Sequence, residues 1–118
     1  MGLILARVSA FTPRPEFDVD LVGNDLAIHL HREFDANGRD HDWIGLIAAR
    51  YPGPYATVTI DIEAMGPRVN SSFYSGLYRL HQQYNPDGDH PVQIKGAHER
   101  AVQGLEILAL KSLFRLVP

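Results

Sequence analysis

The chain has 118 residues, 45% of them apolar and 21% charged, with a formal net charge of −3 and no cysteine. That length suits one domain, residues 1–118, with a core large enough to need no staples. The lack of a basic surplus speaks against nucleic acid as a partner, and the lack of cysteine excludes disulfides, thiolate catalysis and cysteine-ligated metals.

The start, Met1–Arg7, is too short an apolar run for a signal-peptide core and is interrupted by Arg7. Ala6 stands where myristoylation at Gly2 needs Ser or Thr. No stretch approaches the roughly 20 apolar residues of a spanning helix, so the chain is expected to be cytoplasmic, with no membrane insertion. Leu3–Val8 reads as a short edge strand, which Thr12-Pro13-Arg14-Pro15 ends because proline removes a ladder donor. From Phe17 the period is two: Phe17, Val19 and Leu21 alternate with Asp18 and Asp20. After Gly23-Asn24-Asp25, Leu26, Ile28 and Leu30 alternate with Ala27, His29 and His31. That is a hairpin with one buried face.

Phe34–Gly38 leaves the hairpin through turn residues, and Asp40 or Asp42 is placed to cap a helix. Trp43, Leu46 and Ile47 form its apolar stripe, and Tyr51-Pro52-Gly53-Pro54 ends it. Thr57–Ile62 is β-branched and nearly continuous, as in an inner strand covered by helices. A second helix begins near Asn70 or Ser71, with Phe73, Leu77, Leu80 and Tyr84 on one side and Gly76 permitting close approach. Asn85–Asp89 is a loop and Val92–Gly96 a strand. His98–Leu110 is a third helix with Ala101, Val102, Leu105 and Leu108 inward, and Leu113–Val117 is a closing strand. Strands alternating with helices after a hairpin predict an α/β fold, a mixed sheet with about three to four helices packed on it.

Thr57–Met65, a short loop and Val69–Leu77 resemble the central signature of STAS domains, the sulfate transporter and anti-sigma factor antagonist family. There a hydrophobic strand ending in an acidic residue leads through a loop to Asp-Ser-Ser-Gly-Leu-Gly. Glu33-Phe34-Asp35 is similar to the family's corner after the hairpin, with Arg32 in place of its glycine. Gly96–Val102 through Leu105, Leu110, Leu113 and Phe114 is similar to its last helix and strand. Asn70 stands in place of the usual aspartate, and Phe73-Tyr74-Ser75 in place of Gly-Leu-Gly.

The resemblance covers about residues 17 to 117. It implies a STAS-like fold and a protein-binding regulatory module in signal transduction and transcription regulation, not an enzyme. Its partner is then an anti-sigma factor or serine kinase-like protein, with a homodimer left open. Position by position, Ser71 is the phosphoacceptor equivalent and Ser72 the second serine. Asp35, Asn70, Ser71, Ser72, Tyr74, Ser75 and Tyr78 are the expected partner-binding residues.

A phosphate at a helix start adds about −1.5 to −2 charges beside free backbone amides, so the fold survives while a partner matched to a hydroxyl is repelled. Against this, Asn, Ser and Ser are ordinary capping residues, and a cap alone accounts for the run. Tyr74 and Tyr78 equally suit core edges with wetted hydroxyls.

Two other functions stand beside the first. One is a degenerate STAS scaffold or transporter-associated subunit that no kinase modifies. The other is a small metal-binding protein or enzyme using His29 and His31, which share a strand face, with Asp18 or Asp20 across the hairpin. Asp40-His41-Asp42 resembles a ligand cluster but suits turn and cap chemistry better. Asp61 and Glu63 form a carboxylate pair that suits strand-end support better than acid–base work. No nucleophile, phosphate-loop or zinc-protease motif is present, so no catalytic residue, metal site or cofactor is assigned.

Overall fold

A computed structural model describes residues 15–118. The expected strand at Leu3–Val8 and the break at Thr12–Arg14 lie outside the described residues. The hairpin forms as its alternation predicts, with β1 (Phe17–Val22) antiparallel to β2 (Asp25–Leu30) and Gly23 turning the chain at φ 61°. Then follow α1 (Trp43–Arg50), β3 (Thr57–Asp61), a 3-10 turn at Glu63–Met65 and α2 (Ser71–Tyr84). The chain ends with β4 (Val92–Lys95), α3 (Glu99–Ile107), a second 3-10 turn at Lys111–Leu113 and β5 (Phe114–Val117).

The five strands lie in chain order, antiparallel at the hairpin and parallel from β2 onward. Each parallel pair is joined through one helix, and the crossovers all step in the same direction. Crossovers of one hand then put all three helices on one face. Burial follows: Leu26, Ile28, Val58, Ile60, Val92 and Ile94 are buried, whereas Thr59, Asp61, Gln93, Lys95 and Arg115 on the other face are not. As expected, β3 is an inner strand covered by helices, and the cover lies on one face only. Its β-branched threonines satisfy strand geometry without needing a second apolar layer.

The helices meet the sheet through Ile47, Phe73, Leu77, Leu80, Ala101 and Leu105, all buried. Gly76 permits the close approach its position suggested, since a Cβ there would stand 2.6 Å from the Trp43 indole. Phe34 meets the same indole edge-on, at 5.2 Å between ring centroids. Leu46 does not join the α1 stripe and is 55% exposed, while Ile44 takes its place.

Neither aspartate caps α1. Asp42 stands at the cap position without a side-chain hydrogen bond, and Asp40 is buried in the preceding loop. The α3 helix also ends early. Ala109 takes a left-handed φ of 58°, and the Leu110 amide donates back to the Leu105 carbonyl at 2.8 Å. That closure ends the helix before Leu108, which is 50% exposed instead of inward.

Candidate functional site

The start of α2 is set by one side chain. Asn70 is extended, at φ −144° and ψ 176°, and its Oδ1 accepts from the Phe73 amide at 2.9 Å. This satisfies one of the free amides of the first turn. Ser72 is half-buried, and its hydroxyl donates to Asn37 Oδ1 at 3.1 Å, tying α2 to the loop after the hairpin. Ser71 is exposed, and among the described residues its hydroxyl has no hydrogen-bond partner. Capping thus explains Asn70, and loop docking explains Ser72. Neither explains Ser71.

Asp35 lies across a cavity of about 450 Å³ from Asn70, with Arg39 and Arg68 also in its wall. Its own Oδ1 accepts from the Asn37 amide at 3.1 Å, which holds the tight turn presenting Asn37 to Ser72. Sequence reading missed the residue that fixes this loop. The buried Asp40 carboxylate accepts from the Asp35 amide at 2.9 Å and from the Glu16 amide at 3.2 Å, pinning the loop to the foot of β1. Arg39 Nε lies 3.7 Å from the same carboxylate. The signal in the sequence was an aspartate three residues before a helix, a region where capping is the default expectation.

The expected partner-binding residues divide by exposure. Ser71, Ser75 and Tyr78 face outward, Tyr78 at 43% exposed. Tyr74 is 8% exposed and belongs mostly to the core. Its hydroxyl donates to the Ala101 carbonyl at 3.3 Å, and burial raises its pKa above the ordinary phenol value. The ring lies against Gly104, where a Cβ would run into the phenol. Tyr74 therefore fixes α3 against α2 and leaves only its edge to the surface.

His29 and His31 do share the open face of the sheet, but their rings turn to different carboxylates. His29 lies 3.5 Å from Asp20 and 3.4 Å from Asp61; His31 lies 2.7 Å from Asp18 and 3.4 Å from Glu16. Among the described residues, no three potential ligands converge. Asp61 Oδ1 accepts from the Glu63 amide at 3.1 Å, the loop support its strand-end position suggested. No helix among the described residues is long and apolar enough to cross a membrane.

No family model matches the sequence, and no curated protein matches it. Among solved structures, the chain is similar to the NMR structure of the protein TM1081. The TM-score is 0.71, with 8% sequence identity over 89% of this chain and 82% of that one. The likeness is one of fold. It sets the five-stranded mixed sheet and its three helices beside a solved α/β architecture, and carries no site residue across.

Proposed function

We propose that this chain is a protein-binding regulatory module of the anti-sigma factor antagonist kind, with a STAS-like fold. It docks on an anti-sigma factor or related serine kinase through the start of α2 and releases it when Ser71 is phosphorylated. One observation carries the reading. At the head of a 14-residue helix, between a capping asparagine and a loop-bound serine, one exposed hydroxyl has no hydrogen-bond partner among the described residues. A phosphate there meets the positive end of the helix and leaves Asn70 and Ser72 in their bonds, so it alters the surface charge without remodelling the fold.

A second reading, an unmodified scaffold of the same fold, is favoured by Phe73 and Tyr74. Both are buried, and the pair stands where the family pattern carries glycine and leucine. One measurement separates the two. The chain and its Ser71→Ala variant are incubated with an anti-sigma-type serine kinase and ATP, and phosphate is counted by intact mass. The switch predicts one phosphate on the chain and none on the variant. Equal incorporation in both removes Ser71 as the acceptor, and none in either leaves the scaffold.

A further inference from the structure

Beside the Ser71 row lies a groove of about 450 Å³ between α2 and the end of α3. Tyr74 forms its floor, held there by the Ala101 carbonyl and by the space that Gly104 leaves. Tyr78 and Leu108, 43% and 50% exposed, form its apolar sides. Ile107, next in the chain and outside the lining, is 83% exposed. Exposed large apolar residues gathered in this way are what contact sites present, whereas scattered ones need no explanation. The early close of α3 at Ala109 is what turns Leu108 outward.

The rim of the groove is defined by charge. Ser71, Ser75 and Arg79 stand four residues apart on α2, and all three line the groove. Arg79 is exposed, is the only charged side chain in that lining, and makes no ion pair among the described residues. The surface thus combines an apolar slot with one cation on its edge, in a chain whose overall charge is −3.

We infer that this groove seats an acidic segment of the partner protein, whose apolar side chain fills the slot while a neighbouring carboxylate pairs with Arg79. The inference rests on reading the α2 start as a partner surface, and adds the chemistry of what binds there. Arg79 sets specificity, because a partner with a basic residue at that place meets a like charge. Regulation follows from the same row. A phosphate on the Ser71 rim, about two turns of α2 from Arg79, adds negative charge to the same groove and opposes the carboxylate that the groove selects.

The test uses the full chain as bait for a displayed peptide library. Selected peptides are titrated into isotope-labelled protein and followed by amide chemical shifts. The expected peptides carry Asp or Glu within a few residues of Leu, Ile or Phe, and they shift the amides of Tyr74, Ser75, Tyr78, Leu108 and Leu110. Arg79→Glu weakens them about tenfold or more, as reversal of a contacting charge does at other interfaces. Leu108→Asp weakens them comparably through the apolar side. Both positions are exposed, so the variants keep the parent's amide spectrum.

Failure to select a binder, peptides without the acidic residue, or affinity indifferent to Arg79→Glu overturns the inference. So do concentration-dependent shifts of the same amides in the free chain, which assign the groove to a second copy. Peptides that bind the Ser71-phosphorylated chain equally well leave the groove standing and sink the switch, so the two failures are told apart.

Discussion

Two of the contacts that hold α2 are made by the same device. On the α1 side Gly76 admits the Trp43 indole, and on the α3 side Gly104 admits the Tyr74 phenol. The results differ because of what surrounds each aromatic. Trp43 is enclosed by Phe34 and the buried row of α2, and is 1% exposed. Tyr74 is covered on its inner side only, and beyond its edge the chain places Ser75, Tyr78, Arg79 and Leu108. A glycine that receives an aromatic ring seals a core where apolar residues continue on both sides. Where they stop, it floors a groove.

The sharpest way to break this comparison is to fill both notches. Gly76→Val is expected to destabilise the chain by about 3 kcal/mol, the upper end for overpacking, since the buried indole has nowhere to move. Urea unfolding measures it, and a loss under about 1 kcal/mol means that the Trp43 contact is not tight. Gly104→Ala is expected to cost less, about 1 to 2 kcal/mol, because the Tyr74 ring can swing toward the open groove. In a Tyr74→Leu background that cost should fall by about 1 kcal/mol, a coupling typical of residues in direct contact. Strict additivity of the two changes breaks the proposed contact.

Much of this was legible in the sequence, and the failures share a cause. The hairpin, the start of α2 at Asn70, its inward row and the close approach at Gly76 follow from period, cap chemistry and the missing Cβ. The end of α3 did not follow, because a left-handed closing residue is ordinarily glycine and here it is Ala109. Helical spacing consequently assigned Leu108 to the core, and the groove stayed hidden. Leu46 was misplaced because Ile44 is equally apolar and composition alone does not fix the rotation of α1. Asp40 was read as a cap because its actual partners, the amides of Glu16 and Asp35, are brought to it only by the folded loop.

The smallest effects test the division of labour at the head of α2, where neighbouring residues of similar chemistry do different things. Asn70→Ala removes the acceptor for the Phe73 amide and is expected to cost about 1 kcal/mol, the usual loss for a cap. Ser71→Ala removes an exposed hydroxyl with no partner among the described residues and should stay within about 0.5 kcal/mol of the parent, as for an ordinary surface change. Ser71→Asp should raise stability slightly, by about 0.3 to 1 kcal/mol at low salt, since a negative charge there opposes the positive end of the helix. The gain should shrink as salt is added, because an exposed charge is screened. The sign of this last change is the informative part. A residue kept for structure loses stability on replacement, whereas one kept for regulation can bear a negative charge, and even profit from it, while its surface stops fitting a partner. If Ser71→Ala costs as much as Asn70→Ala, the hydroxyl belongs to the cap, and α2 begins with two structural residues and no switch.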